Sequence, residues 1–343
     1  CSASKYIRVV DMSIIPDFNR DRVINDTDRA ALKSGETLRM WINDDADSGD
    51  IAVGDSDTPG ALAGFWEMAG RTPNHADGVV NGRCDLLDFF PVQLFVSDVQ
   101  AVLPPSADVE YRLSQEDGAV NFVYTSSPIG SAGSFLITDW TSNFGSTFNK
   151  PAWAADTIPV TAEGVVLSPA FLVRGSVPTR GVILLEGVRP TAKPLKLTIR
   201  RNGAEICSRT LPLSVSEVEN MYRWVNVRSA IPGAPVDRPT QAGPPPNMPD
   251  TACNGKQFVF VHGYNTDEHA ARGWISEFFK RLYRSGTRAM FTGVTWFGDA
   301  SQFWDWIPGF GGTTPNYYLN VEYAFQTASA FAAEIQNLPG PKF

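Results

Sequence analysis

Side chains with carboxylate or amide oxygens recur at alternate positions at the start of DFNRDRVINDTD, residues 17–28. With Asp17 as the first position, Asn19 is third, Asp21 fifth and Asp28 twelfth. Alternate side chains of a tight loop can converge on one point, and calcium is a hard cation that binds about six to eight oxygen atoms. The spacing therefore predicts a structural Ca²⁺ held by Asp17, Asn19, Asp21 and Asp28.

This segment also resembles the calcium loop of EF-hand proteins, in the variant with Asp at the twelfth position that dockerins use. The resemblance implies that a helix follows the loop, and DRAALKS is a suitable sequence for one. Two features depart from the family pattern. Arg22 stands where the loop usually has glycine, and no helical pattern precedes Asp17.

A second acidic segment, NDDADSGDIAVGDSD at residues 43–57, has no defined motif spacing. Its carboxylates repel one another unless water or a cation lies between them, so a solvated loop and a second calcium site both stay open. The candidate ligands are Asp45, Asp47 and Asp50, with Asp85 and Asp88 as more distant contributors. The predicted role is structural, because His75 is the only histidine nearby in the sequence.

A third group of residues lies in QFVFVHGYN, residues 257–265, where an apolar run ends in His262 and Gly263. A strand without polar alternation is typical of a sheet that is buried on both faces. Glycine at 263 indicates a sharp backbone turn in which a Cβ would be in the way. Asn265 is expected to cap the next helix, with Glu268 completing a capping box.

Residues 257–343 resemble the opening section of an α/β-hydrolase, similar to a bacterial subgroup of uncharacterised serine hydrolases. The similarity rests on FVFVHGYN, the amphipathic helix after it, the strand FTGVTWFGD and a second helix from about Leu319 to Leu338. It implies that His262 and Gly263 form the oxyanion turn and that the backbone N–H of Tyr264 donates to the tetrahedral oxyanion. The alternative is an unrelated α/β domain in which His262 only hydrogen-bonds the turn.

The catalytic triad of that family is not contained in the sequence. There is no Gly-x-Ser-x-Gly, and the histidines are His75, His262 and His269. A serine hydroxyl needs a base to accept its proton. The segment LPGPKF stands where the family begins its nucleophile strand. We therefore expect nucleophile, acid and base beyond residue 343, and residues 1–343 to be inactive alone.

The elements that position these residues divide the chain into four predicted parts. Residues 1–97 form an acidic, β-rich region, and residues 98–230 form a β-sandwich with a type I′ hairpin turn at Asn202-Gly203. The proline- and glycine-rich residues 231–256 form an extended linker. Residues 257–343 alternate strand and helix, which predicts a parallel sheet. The expected fold is multidomain: β-rich parts followed by a partial α/β domain.

Composition excludes several function classes. The chain has 343 residues and a formal net charge of -8, with no basic stripe to neutralise the phosphates of a nucleic acid. No apolar run is long enough to span a bilayer. The first residue is Cys1, which suits either a mature lipoprotein or a cut boundary. Cys207 and Cys253 are expected either to pair, if the protein is exported, or to remain buried thiols.

These observations predict the N-terminal portion of an exported serine hydrolase. It would be secreted or in the cell envelope and would act on a small ester or lipid-like substrate through an acyl-enzyme. The β domains would contact a cell surface or another copy of the chain. The alternative is a non-catalytic, calcium-stabilised surface or structural binding protein whose hydrolase-like segment is a scaffold; a cytoplasmic location also stays open.

Overall fold

The computed structural model describes residues 11–21, 23–43, 88–124, 157–172, 180–300 and 317–343. In these residues the chain is strand-rich, with several sheets and few helices. The helices are α1 (Asp26–Lys33), α2 (Ser97–Gln100), α3 (Pro169–Leu172), α4 (Glu268–Arg284) and α5 (Tyr317–Asn337). The strands are β1 (Ser13–Pro16), β2 (Leu38–Trp41), β3 (Phe89–Phe95), β4 (Val109–Gln115), β5 (Val120–Tyr124), β6 (Ile158–Pro159), β7 (Val165–Val166), β8 (Arg180–Gly187), β9 (Leu195–Arg201), β10 (Ala204–Leu211), β11 (Leu213–Ser216), β12 (Arg223–Asn226), β13 (Gln257–Val261) and β14 (Met290–Thr295).

The chain forms two compact units. Their boundaries differ from the domain boundaries expected from composition. The first contains the described residues up to Ile42 and those from Asp88 to Val215, and the second contains those from Ser216 onward. Strand β1 pairs with β3 and β3 with β8, so the acidic N-terminal region and the predicted sandwich share one sheet. The boundaries of the units follow from strand pairing between distant segments, and composition does not reveal such pairing.

The first unit contains two larger antiparallel sheets, with strand orders β1-β3-β8-β5-β6 and β10-β9-β4-β7. Strand β4 alternates buried and half-buried residues along its length, as a strand with one face on the core should. The hairpin between β9 and β10 turns at Asn202 and Gly203, whose φ angles are 49° and 79°. The predicted turn at these two residues is confirmed, because a type I′ turn needs positive φ at both.

The second unit contains a parallel sheet with the strand order β12-β14-β13, so the sequence-predicted parallel pairing is confirmed. A Cβ at Gly293 would lie 2.2 Å from Cγ2 of Ile275, which means that α4 packs directly on β14 there. Val294 packs with Phe331 and Ile335 of α5. Because successive residues of a strand point to opposite faces, α4 and α5 cover opposite faces of this sheet.

The segment 231–256 packs as part of the second unit instead of forming the extended linker expected from its proline content. Trp224 of β12 exchanges backbone hydrogen bonds with Gln241, and the Asn247 N–H donates to the Asn220 carbonyl oxygen. Met248 is buried. These backbone hydrogen bonds join the segment to the folded unit, which composition alone does not show.

Two further expectations concern the cysteines and membrane spans. Cys207 lies on β10 and Cys253 follows a 3-10 turn at Asp250–Ala252. Both are free thiols and half-buried, so the structure shows neither the expected pairing nor the expected full burial. Cys1 and Cys84 lie outside the described residues. Among the helices described, none has both the length and the apolar character that crossing a membrane requires.

Candidate functional site

The carboxyl ends of the three parallel strands meet at one edge of the second unit. Strand β12 ends at Asn226, β14 ends at Thr295, and β13 ends one residue before His262. In open α/β sheets, ligands bind outside the carboxyl ends of the strands. The structure therefore places His262 and the residues after it where such a sheet can have a site.

His262 links the ends of β13 and β14 through both ring nitrogens. Its Nε2 accepts the backbone N–H of Trp296 at 3.2 Å and lies 2.9 Å from the hydroxyl oxygen of Thr295. Its Nδ1 lies 2.8 Å from the carbonyl oxygen of Gly263, which can only accept. The proton is therefore on Nδ1 and the ring is neutral. Burial agrees with this, because it lowers the pKa of His262 to about 4.

The exit turn of β14, residues 296–299, is bonded to the His-Gly turn at two more points. The indole Nε1–H of Trp296 donates to the His262 carbonyl oxygen at 3.0 Å, and the indole lies parallel to the imidazole. The backbone N–H of Asn265 donates to the Gly298 carbonyl oxygen at 3.0 Å. These bonds fix the two turns to each other on either side of Tyr264.

Two local expectations about this turn are wrong. A Cβ at Gly263 would meet no atom within 4 Å, and its φ is outside the left-handed region, so no steric reason requires glycine there. The unusual residue is Asn265, with a φ of 59°. That angle is not one of an N-cap, and α4 begins only at Glu268, so Asn265 and Glu268 do not form a capping box.

The Glu268 carboxylate binds the proline-rich segment instead. Its two oxygens accept the backbone N–H groups of Asp237 and Arg238 at 2.8 and 2.9 Å. Oε1 also accepts from the side-chain amide of Asn226 at 2.7 Å. A buried carboxylate needs such donors, and here they come from a segment about 30 residues earlier in the chain. Helix spacing alone cannot reveal this role.

Arg228 is the other buried charge at this edge, and sequence reasoning missed it. Its side chain is 0% exposed and donates to the Trp296 carbonyl oxygen at 3.1 Å and to Asp299 at 2.6 Å. It also lies 3.8 Å from Glu268. Burial raises the pKa of Asp299, and the arginine opposes this shift. An arginine directly after the strand-like, mostly apolar segment WVNV was the available signal, since a buried arginine needs a partner.

Tyr264 is half-buried, and its ring meets that of Tyr317 edge-on with 5.3 Å between centroids. Tyr317 in turn meets Tyr318 at 5.6 Å, and Tyr318 is 82% exposed. The start of α5 thus adds an aromatic, partly exposed surface beside the His-Gly turn.

The open edge of β13 is partly occupied by the last three residues. The N–H of Gln257 donates to the Pro341 carbonyl oxygen at 2.8 Å, and the Phe343 N–H donates back to Gln257 at 3.0 Å. The Val259 N–H donates to the Phe343 carbonyl oxygen at 3.2 Å. Lys342 pairs with Gln257 in the parallel sense. Residues 341–343 therefore lie beside β13 as a parallel neighbour.

The loop at residues 17–28 belongs to the first unit, where its carboxylates bind backbone N–H groups. Asp28, which is fully buried, accepts from Phe18 at 2.8 Å and from Asn25 at 2.9 Å, and it forms the capping box of α1 with Asn25. Asp17 and Asn19 both accept the Asp21 N–H. Among the residues described, no three His, Cys, Asp or Glu side chains form a group that could hold a metal. Calcium at this loop stays a prediction.

The second acidic segment cannot be placed in the same way. Asp45, Asp47, Asp50 and Asp85 lie outside the described residues. Asp88 is buried directly before β3, where it accepts a hydrogen bond from the indole of Trp41.

Comparison with known proteins does not assign this chain to a class. No family model, curated protein or solved structure matches it.

Proposed function

We propose that the second unit is the opening part of the α/β domain of an exported serine hydrolase. The backbone N–H of Tyr264 would stabilise the oxyanion, and the nucleophile, acid and base would follow residue 343. The substrate would be a small ester or lipid-like molecule, and the reaction would pass through an acyl-enzyme.

The observation that supports this proposal best is the parallel pairing of residues 341–343 with β13. A parallel strand advances at the same rate as its neighbour, so a strand continuing from Phe343 would reach the level of Tyr264 after about six residues. A nucleophile at the end of that strand would then stand beside the Tyr264 N–H. This is the arrangement that acyl transfer needs, because nucleophile and oxyanion donor act on the same carbonyl group.

The protonation state and hydrogen bonds of His262 indicate a structural role for this residue. Both ring nitrogens are engaged and the ring is neutral, so His262 holds the turn and a different residue must serve as base. Because the ring is neutral and its N–H is bonded to Gly263, the oxyanion would be stabilised by backbone N–H donors and not by His262.

The tyrosines at the start of α5 support an apolar group on the substrate. Tyr317 is 50% exposed and Tyr318 82% exposed, and they continue from the ring of Tyr264. Aromatic side chains present a large apolar surface with a polar tip, which suits the acyl part of an ester better than a strongly charged group.

The test is labelling by a fluorophosphonate probe, using protein that includes the sequence after residue 343, with residues 1–343 as the control. We expect the longer protein to be labelled on a serine and the control to remain unlabelled. Tyr264→Pro removes the N–H donor and should slow labelling about 10²- to 10³-fold, whereas Tyr264→Ala keeps the donor and should label at nearly the original rate.

Two results would contradict the proposal. Absence of labelling in the longer, folded protein would favour the calcium-stabilised binding protein instead. Equal labelling of Tyr264→Pro and Tyr264→Ala would show that the Tyr264 N–H has no part in the reaction.

A further inference from the structure

We infer that Arg228 is a positioning residue for the Tyr264 N–H, acting through the exit turn of β14; this inference rests on the function proposed above. Arg228 does not touch the His-Gly turn itself in any of its hydrogen bonds described above. Its effect must therefore pass through the residues of the exit turn, and each step of that path is visible in the structure.

The first step is from Arg228 to the exit turn. The guanidinium donates to the Trp296 carbonyl oxygen at the start of the turn and to the Asp299 carboxylate at its end. Its carbon lies 5.0 Å from the centre of the Phe297 ring between them. A planar guanidinium offers five N–H donors in a fixed arrangement, so one side chain can hold three successive parts of a turn.

The second step is from the exit turn to the His-Gly turn. The backbone N–H and the indole N–H of Trp296 both donate to His262, and the Gly298 carbonyl oxygen accepts from Asn265. A Cβ at Gly298 would lie 2.6 Å from the Trp296 ring, so the turn folds tightly back on this indole. Tyr264 lies between the two residues of its own turn that are held in this way.

The third step concerns the other end of the guanidinium. Nε of Arg228 donates to the Pro235 carbonyl oxygen at 3.1 Å, and Glu268 contributes a second carboxylate at 3.8 Å. Arg228 is thus held by the proline-rich segment and by the start of α4. An oxyanion donor is effective only when it is held rigidly before the reaction begins, and this buried network supplies such rigidity.

The test compares Arg228→Met with Arg223→Met. Arg223 is a matched control because it is a buried arginine at the start of β12, five residues before Arg228, and is 2% exposed. It pairs with Asp250 at 2.6 Å, and its bonds lead to Asp250 and Ala242 and not to the exit turn. Hydrogen exchange of the Asn265 amide and the Trp296 indole is measured in residues 1–343. Fluorophosphonate labelling is measured in the longer protein.

In Arg228→Met we expect both protons to exchange at least about tenfold faster than in Arg223→Met, because hydrogen bonds to a charged group are lost at the exit turn. Where the longer protein is labelled, Arg228→Met should slow labelling by a similar factor while Arg223→Met does not. Equal exchange in the two variants would overturn the inference. If Arg228→Met does not fold, Asp299→Asn replaces it, and exchange no faster than in Arg223→Met would again overturn the inference.

The exchange measurement does not depend on enzymatic activity. Faster exchange in Arg228→Met together with an unlabelled longer protein would support the positioning of the turn and contradict the proposed hydrolase. Unchanged exchange in a protein that is labelled would contradict only the role of Arg228.

Discussion

Lowering the pH should destabilise the second unit through His262. The folded-state pKa of this histidine is lowered from 6.5 to about 4, first because the ring is buried. Between these values the unfolded chain binds a proton that the folded chain does not. Stability from this group is therefore complete above the unfolded pKa and decreases as the pH falls from about 6.5 to about 4.

The size of the effect follows from the two pKa values. The full difference corresponds to about 3 kcal/mol of unfolding free energy below pH 4. At about pH 5 the unfolded histidine is almost fully protonated and the folded one almost fully neutral, so about 2 kcal/mol is already lost relative to about pH 7.5. The structural reason is that a proton on Nε2 would displace the Trp296 N–H and leave a charge in a buried site.

The assay is urea unfolding of residues 1–343, followed by tryptophan fluorescence, at about pH 7.5 and about pH 5 for the original protein and His262→Gln. Glutamine does not titrate and offers an amide oxygen as acceptor. Contributions from other histidines and from carboxylates are common to both proteins and cancel in the difference. We expect the original protein to lose about 2 kcal/mol more than the variant. If both lose the same amount, the neutral, buried state assigned to His262 is wrong.

Three further predictions concern other parts of the chain. Gly293→Ala should lower the unfolding free energy, measured in urea, by about 1–3 kcal/mol because its Cβ would meet α4. Gly263→Ala, whose Cβ would meet no atom, should change it by less than about 0.5 kcal/mol, and equal effects of the two variants would refute the packing described. Trp296→Phe removes the indole donor and should cost about 1 kcal/mol in the same assay, and a neutral result would mean that this bond is not formed in solution. Calcium should raise the melting temperature of the original protein more than that of Asp28→Asn, and a melting curve that chelation leaves unchanged would remove calcium from the loop at residues 17–28.

Local patterns predicted the elements around the site well. The two apolar segments predicted as strands form β13 and β14, and the two segments predicted as helices form α4 and α5. Gly286 follows the end of α4 with a φ of 94°, a conformation that favours glycine and commonly ends a helix. Such features depend on neighbouring residues, because helix and strand periods and helix ends are short-range properties.

Contacts between distant segments were not predictable in this way. The pairing of β12 with β14, the binding of Glu268 to the proline-rich segment and the network of Arg228 all join residues far apart in the chain. The same limitation explains the wrong capping box: Glu268 has the right spacing for Asn265, but its carboxylate accepts the backbone N–H groups of Asp237 and Arg238 instead. Spacing identifies a possible partner, and packing decides between competing ones.

The order of the strands has a consequence for synthesis on the ribosome. β14 is the central strand of the three-stranded parallel sheet, yet it is the last of the three to be made: its Thr292 pairs with Arg223, about 70 residues earlier in the chain. At translation rates of about 5–20 residues per second, β12 waits for about 3–14 s without its pairing partner. Neither outer strand can form the parallel sheet with the other, so the sheet assembles only after β14 has emerged. The nascent chain therefore carries β12 without its partner throughout that interval and β13 without its partner during the later part, and chaperone contacts are most needed there.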